Sequence, residues 1–345
     1  MLHRLIGIYG NGLRRLFSSR YLDRIFSGLP APAAAHKGEG VTLCALQLEA
    51  KTYPGPEAWL RELDSLLARA AAQGADLVCL PELYGMIIFL CHPVVHTLLK
   101  LLPDSGSGDG GVPELELLPV LERLSFVNGI YEDIISRFAR RYGIHIYGGT
   151  AFVATGGKLF NQGFLTGPEG TILARHKKLH LTREEMQLGL STGDALQVVS
   201  TPIGNIALCV CMDATYFETF RIARNLGADY IIVPIGDMAE FDLWLALRGA
   251  QTRVSETGLA AVKPALVSGK GFPMCFTGRA GIYFPQGSSF SGGETDAHQG
   301  TGMILARINL ADLRNYKSEP FLRSNPGFAR NYYTALLEYR KGESA

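Results

Sequence analysis

Apolar positions along this chain fall into short continuous runs separated by helix-spaced stripes. Val41-Thr-Leu-Cys-Ala-Leu-Gln-Leu48 reads as the first buried strand of a folded body. Pro54, Pro56 and Glu57 then open a helix through Ala72, with Trp59, Leu60, Leu63, Leu66 and Leu67 on its apolar face and Gly74 ending it. Ala75-Asp-Leu-Val-Cys-Leu-Pro81 is a second short strand, and Glu82 follows directly. The order recurs: Gly74-Ala-Asp-Leu-Val-Cys-Leu-Pro81 is echoed by Gly227-Ala-Asp-Tyr-Ile-Ile-Val-Pro234, each after an earlier strand and a helical stretch. That predicts two related β-α-β halves within one domain, with helices covering the sheets.

The rest of the body continues the pattern. A helix through Tyr131, Ile134, Ile135, Phe138 and Ala139 ends near Gly143, a strand covers Ile144 to Val153, and residues 156–174 fit a hairpin. His176 to Glu185 is a polar stretch that reads equally well as a charged surface edge. The run from Asn205 is a buried strand that turns polar at Cys211 and feeds a helix through Arg221, Ile222 and Leu226. Phe241 to Glu256 predicts a further helix, Ala260 to Ser268 a strand, and two more strands start at Gly278 and Gly302. The domain plan is an extension and linker over 1–40, a body over 41–315, and a C-terminal arm over 316–345, the arm suited to packing across another chain.

Two stretches depart from that plan. Residues 1–40 carry Arg4, Arg14, Arg15, Arg20, Arg24 and Lys37 against only Asp23 and Glu39, with Leu13, Leu16, Phe17, Leu22 and Phe26 forming a short apolar face. A solvated, poorly ordered extension is the expectation; the alternatives are a basic helix on an anionic membrane or on a partner. Residues 85–102 are unusually apolar and follow Glu82 immediately, placed to cover a pocket for an apolar substrate, touch a membrane weakly, or pack on the body or a second subunit. The glycine-rich segment after them lacks a phosphate-loop lysine and reads as a connector.

Charge adds little: 33 basic against 32 acidic residues give no case for nucleic acid. Six cysteines without a disulfide framework suit a reducing compartment. Without a signal core or an apolar span of about 18 residues, the reading is cytoplasmic. Cys209-Val-Cys211 has no second ligand pair at metal spacing, so no metal site is expected and Cys209 is assigned to packing.

Cys211 sits where a buried strand meets a turn, which fixes a thiol while exposing it. Around it three segments resemble the nitrilase superfamily of carbon–nitrogen hydrolases, a likeness covering roughly Val41 to Leu313. Leu80-Pro-Glu-Leu-Tyr84 resembles the family's glutamate segment, Lys177-Lys-Leu-His-Leu181 its lysine segment and Cys211-Met-Asp-Ala-Thr-Tyr-Phe-Glu218 its nucleophile segment. The resemblance implies an α-β-β-α sandwich forming a homodimer or higher homo-oligomer. It also implies Cys211 as nucleophile, Glu82 as general base and acid, Lys178 as electrostatic stabiliser, and no cofactor. Glu184 and Glu185 both lie where the family carries a supporting glutamate; Glu185 is favoured. The Met212 N–H is the expected oxyanion donor, and Glu256 a structural carboxylate.

The residue types suit the chemistry. A cysteine divides attack on an unreactive C–N centre into two steps, a carboxylate takes its proton, and a nearby ammonium favours both thiolate and oxyanion. The expected reaction is hydrolysis of a linear, non-peptide carboxamide or related C–N bond to an acid plus ammonia or amine. Nitrile hydrolysis and acyl transfer use the same side chains, and a silent dimeric scaffold is the reading from another class. Departures at Met212, Thr215, Tyr216, Phe217, Thr257 and Ala280, with the 85–102 insertion, mark a pocket of its own kind.

Overall fold

The computed structural model describes residues 2–33, 38–101, 117–238, 241–244, 249–269, 272, 274–296, 299–318 and eight positions between 327 and 338. Two mixed sheets stack face to face. The first has the order β10-β1-β2-β3-β4-β5, with β13 also on β1; the second runs β12-β11-β9-β8-β7-β6. The first sheet contains β1 (Val41–Ala50), β2 (Leu77–Cys79), β3 (His145–Thr155), β4 (Lys158–Thr166), β5 (Ile172–Lys177), β10 (Ala265–Ser268) and β13 (Gly302–Ile308). The second contains β6 (Gln197–Thr201), β7 (Gly204–Leu208), β8 (Tyr230–Ile232), β9 (Ala260–Lys263), β11 (Gly281–Tyr283) and β12 (Gly293–Glu294).

Period-two geometry explains why β1 is apolar on both faces. Leu43 and Ala45 join the cluster shared with the second sheet, while Cys44, Leu46 and Leu48 face the helical layer. That layer includes α3 (Pro56–Ala72), with Pro56 in its first turn, and α7 (Phe126–Tyr142), closed by Gly143 at φ +61°. On the second sheet lie α9 (Phe217–Asn225) and α10 (Ala250–Thr257), whose Phe220, Ala223 and Val254 are buried in its cluster.

The two halves match in their hydrogen bonds as well as in sequence. The Asp76 N–H donates to Thr42 O at 2.8 Å while the Thr42 N–H donates to Asp76 Oδ2 at 3.0 Å. Asp229 and Asn205 repeat both contacts at 2.7 and 2.9 Å. The next strand closes each half alike, with His145 N–H on Asp76 O and Ala260 N–H on Asp229 O. Each aspartate therefore staples the two strands that flank its own, β1 to β3 and β7 to β9.

Three sequence expectations change. The span from Ala260 to Ser268 is two strands in different sheets, separated at Pro264, which has no N–H to continue a ladder. Of the helix expected from Phe241 to Glu256, residues 243–244 and 250–257 are helical and Gly249, at φ +64°, breaks it; residues 245–248 lie outside the described residues. The N-terminal extension is not a solvated tail. Its helices α1 (Leu2–Leu16) and α2 (Ser19–Ser27) bury Leu13, Phe17, Leu22 and Ile25 in the same cluster as Trp59 and Leu60. The apolar face seen in the sequence is covered by the chain's own body.

The 85–102 insertion folds as a short turn over Tyr84–Met86, α4 (Ile87–Leu90) and α5 (Pro93–Leu101), and Ile87 and Ile88 are buried. After residues 102–116, outside those described, α6 (Leu117–Arg123) leads into α7. At the other end α11 (Leu310–Ser318) buries Leu313, and its Arg314 and Lys317 pair with Asp229 at 2.7 and 3.2 Å. The first residues assigned to the C-terminal arm thus belong to a helix docked on the body; residues 319–326 lie outside those described. No described helix is long and apolar enough to cross a membrane.

Candidate active site

Glu82 follows the end of β2, in a turn that the neighbouring strand is built to receive. β3 shifts register between Tyr147 and Thr150, and Gly149 lies there at φ +69°. A Cβ on Gly149 would stand 2.2 Å from Pro81 O, so only glycine lets the two backbones approach. The bulge brings Thr150 Oγ to the Leu83 N–H at 2.9 Å. Leu83 itself has φ +61°.

Lys178 follows β5, its N–H bound to Asn161 O at 2.8 Å. Its side chain is buried, and its Nζ lies 2.8 Å from both Glu82 Oε1 and Glu185 Oε2. Asn161, in the middle of β4, closes the ring: its Nδ2 donates to Glu82 Oε1 at 2.9 Å and to Glu185 Oε1 at 2.8 Å. Glu185 is oriented by a capping box on α8 (Arg183–Gln187), accepting from the Thr182 N–H while its own N–H donates to Thr182 Oγ. Of the two candidate glutamates, Glu185 is the buried one and Glu184 is exposed.

Cys211 starts a short 3₁₀ turn over Cys211–Thr215 beyond β7 and has φ +44°. Among the described residues only Leu83 and Cys211 are non-glycine positions with positive φ. Such a conformation costs roughly 1–3 kcal/mol, which the surrounding contacts must hold in place. One is the Cys211 N–H, donating to Pro234 O at 2.9 Å. The thiol lies close enough to both Glu82 and Lys178 to favour the Glu82 carboxylate and the Lys178 ammonium. It also lies 3.7 Å from Asp237 Oδ1. Met212, next in the turn, is half-buried.

Asp213 joins the lysine loop to the cysteine turn. Its Oδ1 accepts from the N–H groups of Leu179 and His180 and contacts His180 Nδ1 at 3.0 Å. Its Oδ2 accepts from the Val210 N–H at 2.9 Å and lies 3.6 Å from His176 Nε2. One carboxylate therefore fixes both segments relative to each other. Burial opposes its ionisation, but the nearby His176 ring and the hydrogen bonds from His180 and the Val210 N–H hold it below the usual aspartate range.

Burial raises the Glu82 carboxyl above 4.5, and the neighbouring Glu185 adds to this against the opposing Lys178 charge. For Lys178, burial alone would disfavour the ammonium, but Glu82, Cys211 and Glu185 outweigh it and hold the cation charged. Burial also pushes the Cys209 thiol far up, and its Sγ donates to Ile232 O at 3.3 Å. Cys209 is a packing residue, as its spacing implied. Glu256 pairs with Arg221 at 2.6 Å and Arg253 at 3.3 Å.

The structure thus brings Glu82, Lys178, Glu185 and Cys211 together. Sequence reasoning missed Asn161, His176 and Asp237. Asn161 left one trace, a poor strand former inside the apolar run Leu159-Phe-Asn-Gln-Gly-Phe164. Asp237 left none: in the internal repeat the position after Pro234 that matches Glu82 is Ile235.

Comparison with known proteins shows the family. The family model described as carbon–nitrogen hydrolase matches residues 41–318. The chain belongs to the carbon–nitrogen hydrolase family. Family members act on C–N bonds other than peptide bonds. Similar curated proteins include a probable hydrolase of Bacillus subtilis, 28% identical over 195 residues, covering 56% of this chain but only 34% of that protein. An omega-amidase of Xenopus laevis is 26% identical over 221 residues, covering 60% of this chain and 68% of its own. The deaminated glutathione amidase of a Synechocystis strain is 26% identical over 291 residues, covering 80% and 94%. Among solved structures, an amidase from Nesterenkonia sp. has a TM-score of 0.61 at 19% identity, covering 87% of this chain and 99% of that one. It shares the two-sheet fold. A mutant of that amidase shows covalent addition of the acetamide moiety of fluoroacetamide at its active site cysteine.

Proposed function

We propose that this protein hydrolyses a linear carboxamide to a carboxylic acid and ammonia through a thioester on Cys211. The observation that carries the reading is the buried Lys178 ammonium, shared between Glu82 and Glu185 and beside the Cys211 thiol. The amidase names of the Xenopus and Synechocystis relatives support an amide as the substrate.

Cys211 Sγ attacks the carbonyl carbon and passes its proton to Glu82. Charge builds on the carbonyl oxygen. An ammonium has three N–H donors; two of those on Lys178 meet carboxylates, and the third serves this oxyanion together with the Met212 N–H. Glu82 returns the proton to the nitrogen as the C–N bond breaks, releasing ammonia and leaving the thioester. Water then attacks the thioester carbonyl, giving a proton to Glu82, and collapse restores the thiol and frees the acid. Glu185 and Asn161 hold Glu82 and Lys178 in register throughout. The same reading makes a homodimer the working molecule, which light scattering on purified protein tests.

The test of the chemistry is ammonia release from a panel of primary amides and nitriles, with C211A and C209A beside the unaltered protein. Release from amides that is abolished by C211A and retained by C209A is expected. Turnover unchanged in C211A removes the assigned nucleophile, and release from nitriles alone removes the amide assignment.

A further inference from the structure

A cavity of about 560 Å³ lies against the turn that carries Glu82. Glu82 faces Lys178 and Asn161, while the next two residues, Leu83 and Tyr84, line the cavity. A second wall is joined to the thiol through the backbone. Phe276 lines the cavity and precedes Thr277, whose N–H donates to Asp237 O at 2.9 Å, and Asp237 touches Cys211. A volume of this size lies within the roughly 300–1,000 Å³ of small-molecule sites.

The lining is apolar, with Phe89, Leu121, Leu124 and Phe152 among its walls. Its two tyrosine hydroxyls are engaged in bonds that fix the walls. The Tyr9 hydroxyl donates to Phe89 O at 2.8 Å, and the Tyr84 hydroxyl accepts from Trp59 Nε1 at 3.0 Å. A charged group placed there would lose its hydration without a partner, whereas an alkyl chain would lose only unfavourable contact with water.

The wall also draws on α1, outside the family match, and on the apolar segment after Glu82. Ile6 and Tyr9 belong to α1, outside the matched residues 41–318, and Phe89 and Leu90 belong to the 85–102 insertion. Tyr9 stacks near Phe89, with centroids 6.4 Å apart, and lies 4.9 Å from the His92 ring. The two segments are thus held to each other at the cavity wall.

We infer that the substrate is a primary amide of a long, uncharged, apolar acid whose acyl chain lies in this cavity while its carboxamide meets Cys211. The inference rests on the amide-hydrolase reading above. It places the chain on the acyl side because the acyl group stays on the enzyme through both steps, so one apolar site serves both. Each methylene taken from water is worth about fourfold in affinity, and in kcat/KM where the contact persists in the transition state.

Straight-chain primary amides from acetamide to octanamide, assayed with the full chain, test this. kcat/KM is expected to climb about fourfold per methylene. L90W and V120W, made separately, each fill the cavity and are expected to lower the octanamide-to-acetamide ratio at least about tenfold relative to the unaltered protein. Matched N-alkylacetamides are expected to show no such climb. Calorimetric binding of the same amides to C211A separates the two claims. A chain-length ladder in binding without turnover by the unaltered protein keeps the apolar site and removes the hydrolase reading. Turnover of acetamide with no gain on lengthening, a ladder untouched by both tryptophan variants, or a climb confined to N-alkylacetamides overturns the inference.

Discussion

Asn161 shows most directly how this site depends on a residue that does no chemistry. Its amide nitrogen separates and aligns two buried carboxylates that otherwise share only Lys178. N161A leaves both oxygens short of a donor, a cost of about 1–3 kcal/mol that falls on Glu82 geometry and corresponds to roughly ten- to hundredfold in kcat/KM. Circular dichroism should report an intact fold in this variant, and a kcat/KM within twofold of the unaltered enzyme would show that the bridge is ornamental. The pH dependence follows from Glu82 as well. Glu82 takes the thiol proton only as a carboxylate, and burial sets its ionisation above 4.5. The acid limb of kcat/KM should therefore lie above the ordinary glutamate range, with activity falling as pH drops through it. An acid limb at or below 4.5 contradicts the desolvated base. Cys211, Glu82 and Lys178 were legible because each sits in a recognisable segment, Cys211 and Glu82 also at the ends of apolar runs. Asn161 and Asp237 were not, because what matters about them is the distant side chain they meet.

At the scale of elements, the clearest case is α8, a five-residue helix whose cap and function share one carboxylate. Glu185 Oε2 both accepts from the Thr182 N–H and meets Lys178 Nζ. T182A removes the hydroxyl that receives the Glu185 N–H, costing about 1 kcal/mol in the cap. It should also loosen Glu185 from Lys178, so ammonia release falls together with thermal stability, while T182S restores both. Full activity in T182A would separate the cap from the site. The Thr-x-x-Glu spacing was present in the sequence, but the polar stretch around it reads as a surface edge until the structure shows His176, Lys178 and Glu185 buried. The split at Pro264 was hidden for a different reason. Both strands are buried and apolar, so hydropathy runs unbroken through the point where the chain changes sheets.

For the whole molecule, the two-layer plan with helices outside was legible from alternating strands and helices and from the Gly-Ala-Asp repeat. The docking of α1 and α2 was not. A basic amphipathic segment before a linker has the same pattern whether its apolar side meets a membrane, a partner or its own body. Here Phe17 packs edge-on to Trp59 at 6.3 Å and is nearly fully buried. F17A should cost about 3–5 kcal/mol and lower Tm accordingly. An unchanged Tm would mean that the extension leaves the body in solution. The account as a whole turns on one thiol out of six. Peptide-resolved mass spectrometry after brief exposure to fluoroacetamide measures that choice, with exposed Cys275 reporting indiscriminate alkylation and buried Cys209 the competing position. The prediction is an acetamide adduct that forms first on the Cys211 peptide and is absent from that peptide in C211A; an adduct forming first on Cys209, or only on Cys275, would contradict it.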